Sequence, residues 1–331
     1  MFYTLINHIF NFFNNKNNIS CSTSLTNLLD IENKYIQDLK SKYSQIHFIK
    51  NVQSFIIDIN KKFYFNVKSH SYIIFPKQST SHLLFVHGNN TGSSIWFEKG
   101  AKLAEKGYIV HCISLPAFGG STVSKKILDF NPNDILIFYS NYIAEYIINN
   151  IGKNNPPQII GNSFGTFVIS FFATKYPQLC KTITHVNENV IHRLNNHSKK
   201  YFFKLGFSNY LKKIGYIINY FYFTYYRFTF ETNMLYYMNI AEMNCSDIFG
   251  EYIISKLINY KHDSIEIFHE NNYIDLPPIS ILHGNNNTLI LFRCNEIKYN
   301  FHNEKNQIVK IKSMNKPNDD NFFNHLLQII E

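Results

Sequence analysis

Short apolar runs alternate with longer amphipathic stretches through most of the chain after residue 50. Runs of about four to eight apolar residues are typical of buried strands, and apolar residues three or four positions apart are typical of helices. The predicted strands are Phe55–Ile59, Tyr72–Phe75, Leu83–Val86, Tyr108–Leu115, a run ending at Ile160, Thr182–Val186, a run beginning at Ile279, and Gln307–Lys312. The predicted helices are Ile95–Lys106, Asp134–Asn150, Thr166–Tyr176 and Asn321–Ile330. This order predicts an α/β domain whose first two strands are antiparallel.

Two segments lie outside this alternation. Leu25–Tyr43 has apolar residues at helical spacing, which predicts a helix packed on the body of the protein. Residues 189–275 are helix-like and rich in aromatic side chains, as in Tyr220–Tyr226. The predicted organisation is therefore a partly helical N-terminal extension (1–50), a core (51–189 and 275–331) and an aromatic-rich helical insertion (190–274).

Composition narrows the function classes. The 331 residues are 45% apolar, enough for one core, and the net charge of +9 comes from scattered lysines that form no nucleic-acid footprint. Five cysteines without C-x-x-C spacing indicate free thiols in a reducing compartment. No phosphate-binding glycine loop or metal-ligand spacing occurs among the motifs, so no cofactor or metal is expected.

The N-terminus gives no targeting signal. Residues 1–13 lack a basic leader before their apolar part and are too short to span a bilayer. The expected location is therefore the cytoplasm. Contact of this terminus with a membrane surface stays an alternative to a docked or frayed end.

The candidate chemistry begins with the five residues Gly161-Asn162-Ser163-Phe164-Gly165, which match G-x-S-x-G between a predicted strand and a predicted helix. A tight strand-to-helix turn exposes the serine hydroxyl, and small residues on both sides avoid a clash. Ser163 is the predicted nucleophile. The alternative is an ordinary turn in which this serine caps the helix.

A second motif follows the strand Leu83–Val86, which runs into His87-Gly88-Asn89-Asn90. Backbone N–H groups after such a turn point into a cleft. We expect the N–H groups of Asn89 and Phe164 to stabilise an oxyanion together.

In this order, the two motifs and the run Ser114-Leu115-Pro116-Ala117-Phe118-Gly119-Gly120-Ser121 resemble the α/β-hydrolase superfamily, and its serine esterases and lipases in particular. Ser114 and Ala117 stand where the pattern D-x-P-G-x-G-x-S has Asp and Gly. The resemblance implies a mostly parallel central sheet flanked by helices. It also implies a helical cap, inserted after the strand that follows the nucleophile helix, which here is the segment 190–274.

The resemblance leaves the other catalytic partners open. Asn287 stands where the acid is usually an aspartate, and Glu188, at the end of the strand after the nucleophile helix, is the preferred acid candidate, with Asp275 weaker. Lys316 stands where the histidine base is expected. The next histidine, His325, lies in the predicted closing helix and serves as base only if that helix begins later.

Two functions from different classes follow. The first is a serine hydrolase acting on a carboxylic ester or thioester, with a small-molecule ester or acyl substrate suited to the apolar cap. The second is an α/β-hydrolase-like binding protein that has lost catalysis, because the acid and base positions hold Asn287 and Lys316.

Overall fold

A computed structural model gives the architecture of the protein. The structure describes residues 21–79, 81–88, 91–186, 242, 250, 253, 256–257, 277, 279–283, 307–310 and 320–331. Of the predicted cap, only residues 242, 250, 253, 256 and 257 are among them. The three-part division of the chain therefore stays a prediction.

The described residues form nine strands and five α-helices. The strands are β1 (His47–Ile59), β2 (Phe63–Phe75), β3 (Ser81–Val86), β4 (Tyr108–Ser114), β5 (Thr122–Val123), β6 (Gln158–Asn162), β7 (Thr182–Val186), β8 (Ile279–His283) and β9 (Gln307–Lys310). The helices are α1 (Cys21–Lys42), α2 (Phe97–Glu105), α3 (Pro132–Asn150), α4 (Phe164–Lys175) and α5 (Asp320–Ile330). Short 3₁₀ turns cover Ser93–Trp96, Lys125–Asp129 and Pro177–Leu179.

All nine strands belong to one sheet. Its order is β1-β2-β4-β3-β6-β7-β8-β9, with the short β5 paired to β2. The pairs that involve β2 are antiparallel, and every pair from β4 to β9 is parallel. The predicted α/β class, the mostly parallel sheet and the antiparallel first strands are confirmed.

The first two strands are longer than their apolar runs predict. Each has 13 residues, and the two pair along their whole length. Apolar runs underestimate them because exposed and buried residues alternate in both. Asn60 and Lys61 join them with φ angles of 56° and 58°, in the left-handed region that asparagine tolerates well.

The sheet separates two apolar clusters. One fills the face covered by α3 and α4, and the other fills the face covered by α1, α2 and α5. Helix α1 joins the second cluster through Leu28, Tyr35 and Leu39, as its apolar spacing predicts. The carboxyl ends of the parallel strands lie along one edge of the sheet, between the two packed layers, and open α/β sheets bind ligands at this edge.

Helix α1 also carries a buried acid. The Glu32 carboxylate accepts a hydrogen bond from the Tyr72 hydroxyl at 2.6 Å, and Lys50 Nζ and His70 Nε2 each lie 3.2 Å from the same oxygen. Burial alone would raise the pKa of Glu32, but the bonds and charges of His70, Tyr72 and Lys50 outweigh it and hold that pKa below its usual value. The helix is thus fixed to the sheet by charge as well as by apolar contact.

Within the described ranges, no helix is both long enough and apolar enough to cross a membrane.

Candidate active site

Ser163 forms the turn between β6 and α4. Its φ of 50° and ψ of −113° lie outside the regions that a residue with a side chain normally adopts. Its N–H donates to the Val186 carbonyl at 3.0 Å, and its own carbonyl accepts from the Thr166 N–H at 3.0 Å. Such strain persists only where the surroundings fix it, and it is common at catalytic nucleophiles.

Two glycines make this turn sterically possible. A Cβ on Gly165 would lie 2.6 Å from the His87 carbonyl oxygen and 2.7 Å from that of Val86. A Cβ on Gly161 would lie 2.8 Å from the Gly165 backbone. The small residues of G-x-S-x-G are therefore required because backbone of β3 and of the turn itself occupies the space beside them.

The His-Gly turn after β3 lies directly beside the serine. A Cβ on Gly88 would be 3.2 Å from Ser163 Cβ and 3.2 Å from the Asn162 side-chain nitrogen. Val86 and Gly161 are paired across the parallel strands, which brings the ends of β3 and β6 to the same level. Asn89, the predicted oxyanion donor that follows, lies outside the described residues, whereas Phe164 is described and buried as the first residue of α4.

His87 is a structural bridge and not a base. Its Nε2 accepts from the Leu115 N–H at 2.9 Å, so its Nδ1 carries the proton and donates to the Gly88 carbonyl at 2.6 Å. Complete burial lowers the pKa of His87 to about 4, because a charged ring would lose its hydration. The neutral ring ties the end of β3 to the end of β4.

The loop that begins at His87 and Gly88 leads to the 3₁₀ turn Ser93–Trp96. Two further side chains, those of Glu242 and Ser114, hold its far end. The Gly92 N–H donates to Glu242 Oε2 at 2.8 Å, and the Ser94 N–H donates to Glu242 Oε1 at 2.9 Å. Between them, the Ser93 N–H donates to Ser114 Oγ at 3.0 Å. Ser114 thus provides an acceptor at the position where the family pattern has Asp.

The charge state of Glu242 is set by opposing effects. Burial raises the pKa of this carboxyl from 4.5 to about 7, although the hydrogen bonds from Ser94 and Gly92 favour the charged form. The nearby charge of Glu32 adds to the increase. Glu242 therefore titrates near neutral pH.

Buried aromatic rings surround the base of the serine turn. The Phe118 ring lies 5.8 Å from Phe164 and 5.5 Å from His87, and Tyr139 lies 6.0 Å from Phe164, all measured between ring centroids. The Tyr139 hydroxyl donates to the Pro116 carbonyl at 3.1 Å. The loop of Pro116 and Phe118 is therefore packed rigidly beside the nucleophile turn.

That loop also contains a strained alanine. Ala117 has a φ of 73°, in the left-handed region that favours glycine. The family pattern has Gly at this position, a residue that adopts this conformation without the strain that the Ala117 side chain causes.

Among the described residues, no hydrogen bond connects His325 with Ser163. His325 lies inside α5, whose last carbonyl, that of Ile330, accepts from Gln158 Nε2 at 3.0 Å.

Helix α5 also covers the face of the sheet opposite α4, with Leu326 and Ile330 in the cluster of α1 and α2. His325 Nδ1 is buried and has no hydrogen-bond partner among the described residues. The helix begins at Asp320, so the later start on which the catalytic role depended is not observed. His325 as the base stays a prediction.

The remaining predicted site residues cannot be placed. Glu188, Asn287, Asp275 and Lys316 lie outside the described residues, and their roles stay predictions. Within the described ranges, no group of three or more metal-ligating side chains occurs.

Sequence reasoning missed Glu242, since a lone glutamate in an aromatic-rich segment has no local signal for a contact 150 residues away.

Comparison with known proteins agrees with this architecture. A family model described as alpha/beta hydrolase fold matches residues 81–211, a range that includes both the His-Gly turn and the nucleophile turn. No protein with a curated description matches the sequence.

Several solved structures are similar to the chain. A probable hydrolytic enzyme from Pseudomonas aeruginosa PAO1 is 15% identical, with a TM-score of 0.57 over 86% of this chain and 94% of that one. An epoxide hydrolase from Vigna radiata is 12% identical, with a TM-score of 0.57 over 84% and 97%. A candidate lipase from Acinetobacter baumannii AYE is 17% identical, with a TM-score of 0.50 over 84% and 87%. The chain has the α/β-hydrolase fold, and its resemblance to that superfamily is confirmed.

Proposed function

We propose that the chain is a serine hydrolase that cleaves a carboxylic ester or thioester through an acyl-enzyme on Ser163. The observation that carries the proposal is the strained turn at Ser163, which two glycines permit and which lies against Gly88. Strain of this kind is costly and is kept where it presents a reactive group. The solved relatives named for hydrolysis support the reaction class.

In the proposed mechanism, Ser163 Oγ attacks the substrate carbonyl carbon while a histidine takes the hydroxyl proton. The tetrahedral oxyanion accepts hydrogen bonds from the N–H groups of Asn89 and Phe164. Collapse of this intermediate breaks the bond to the alcohol or thiol, which leaves with the proton from the histidine. Water, deprotonated by the same histidine, then attacks the acyl carbon; the bond to Ser163 Oγ breaks, the histidine returns the proton to Oγ, and the acid is released.

The proposal assigns the base to His325 and its orientation to Glu188 or Asn287. The first assignment rests on the sequence, because His325 is the next histidine after Lys316, which stands at the expected position of the base. A carboxylate at Glu188 would stabilise the imidazolium, whereas the amide of Asn287 would only orient the ring. The aromatic-rich segment 190–274 is the feature that favours an apolar acyl group.

A binding protein without catalysis is the second candidate. It is favoured by one observation, the position of His325 inside α5 on the opposite face of the sheet from the nucleophile helix. This candidate keeps the fold and the cleft but has no base within reach of Ser163.

Hydrolysis of short p-nitrophenyl esters separates the two. The serine hydrolase predicts turnover that Ser163→Ala abolishes and Ser41→Ala leaves intact, since the Ser41 hydroxyl bonds only to the exposed Asp38 carbonyl. Equal rates for wild type and Ser163→Ala would favour the binding protein.

A further inference from the structure

Glu242 links the predicted cap segment to the loop beside the nucleophile. It is fully buried, and both of its oxygens accept backbone hydrogen bonds, from Gly92 and Ser94. A Cβ on Gly92 would lie 2.5 Å from Glu242 Oε1, so the carboxylate is packed against the backbone itself. This contact is separate from the nucleophile turn and from the residues predicted for the triad.

The two hydrogen bonds to Glu242 give acceptors to the backbone N–H groups of Gly92 and Ser94. The first N–H groups of a helical segment have no partner within the helix, and here they begin the turn Ser93–Trp96 that leads into α2. A carboxylate is a strong acceptor for such groups and is also favoured by the partial positive charge at a helix N-terminus. Glu242 therefore fixes where this loop enters the helix.

The loop is short, so its far end at Gly92 is only a few residues from the part that lies beside Ser163. Its near end is set by Gly88, which contacts Ser163, and by the hydrogen bond from His87 to the Gly88 carbonyl. Only residues 89–91 separate Gly88 from the Gly92 amide that Glu242 holds.

We propose that Glu242 is a positioning residue for catalysis, and that its ionised carboxylate fixes the far end of the loop and thereby holds Gly88 beside Ser163. This inference rests on the proposed function, because the loop is the one that would supply an oxyanion donor.

The charge of the carboxylate gives the proposal a measurable signature. Ionised Glu242 accepts both N–H bonds, whereas the protonated form has one oxygen that acts as a donor. Burial raises its pKa to about 7, so the change falls within the working range of an esterase assay. The titratable groups that face it are Glu32 and Tyr35 of α1, Tyr72 of β2 and Cys112 of β4.

Glu242→Gln is the discriminating variant. Glutamine has the same shape but only one acceptor oxygen, as in the protonated acid. We expect kcat for a short p-nitrophenyl ester at pH 8.5 to fall about tenfold to a hundredfold, with KM changed less than twofold. The ratio of wild-type to variant kcat should approach one at pH 5.5, where both side chains are neutral. Titration of the catalytic histidine cancels in this ratio.

Glu32→Gln is the matched control, because Glu32 is equally buried but bonds to Tyr72 and not to the loop. It should lose stability and keep its kcat at pH 8.5. Should Glu242→Gln fail to fold, Glu242→Asp retains the charge but is too short to reach both N–H groups, and we expect the same loss at pH 8.5.

Hydrogen exchange of the peptide that contains Gly92 and Ser94 gives a readout that does not depend on turnover. Faster exchange in Glu242→Gln together with the pH-dependent loss of kcat supports the inference. An active wild type with an unchanged variant overturns it and leaves the proposed function standing. A wild type whose Ser163 is unreactive overturns both.

Discussion

Gly165→Ala is expected to damage the nucleophile turn, and Gly100→Ala gives a matched comparison. Both glycines lie in helices, α4 and α2, and both are buried. At either position, replacing glycine by alanine stabilises the helix itself by up to about 1 kcal/mol. The difference is in what the new methyl group meets.

At Gly165 the obstacle is backbone. The new Cβ would lie 2.6 Å and 2.7 Å from the carbonyl oxygens of His87 and Val86. Carbon and oxygen approach to about 3.3 Å, so the end of β3 must shift by roughly 0.6 Å or more. Overpacking of this kind costs about 1 to 3 kcal/mol. At Gly100 the nearest atom, at 2.8 Å, is the terminal Cδ1 of Ile74, which can rotate away at small cost.

Urea unfolding gives the free energy of unfolding, and the rate of labelling by a fluorophosphonate gives the reactivity of Ser163. We expect Gly165→Ala to lose about 1 to 3 kcal/mol and to label at least tenfold more slowly, because the turn beside the serine is displaced. Gly100→Ala should match wild type in both. If the two variants behave alike, the steric account of the turn is wrong.

Four further predictions follow from individual residues. Because burial raises the pKa of Glu242 from 4.5 to about 7, the folded state binds more protons than the unfolded state in that window, and stability falls as pH rises through it. Glu242→Gln should therefore be about 3 kcal/mol more stable than wild type at pH 8 and equal to it at pH 4 by urea unfolding, and a less stable variant at pH 8 would contradict this. The pKa of Glu32 is lowered in the folded state, so its contribution to the free energy of unfolding is present above pH 4.5 and is lost as pH falls through its folded-state pKa. Glu32→Gln should therefore lower the free energy of unfolding by about 3 kcal/mol at pH 7. A variant as stable as wild type would count against the ion pair. Ala117→Gly should gain up to about 1 kcal/mol in thermal unfolding by relieving the left-handed φ, whereas a lower Tm would argue against that conformation. His325→Gln should lower kcat at least a hundredfold with KM unchanged, and an unchanged kcat would place the base elsewhere.

Local sequence patterns predicted the fold well. Strand β3 contains the continuous apolar run Leu83–Val86, which is typical of the parallel part of a sheet, so it was recognisable by composition alone. The nucleophile turn was recognisable because its steric demands impose glycine at two fixed positions. Strands β1 and β2 were recognised only in part, since their half-exposed residues break the apolar runs.

Contacts between distant parts of the chain were not predictable in the same way. The bond from Gly92 to Glu242, and that from Tyr72 to Glu32, join residues with no shared local pattern. The neutral, bridging state of His87 likewise depends on the Leu115 N–H from another strand. The candidate base His325 was named from the sequence, but its distance from Ser163 depends on how distant elements pack, and its role stays a prediction.

The most direct test of the central claim is labelling of the purified protein with a fluorophosphonate, followed by mass spectrometry to locate the adduct. The serine hydrolase predicts one adduct at Ser163, absent from Ser163→Ala and present in Ser41→Ala. A folded protein in which Ser163 is unlabelled, or in which Ser163→Ala labels as wild type does, would contradict the proposal.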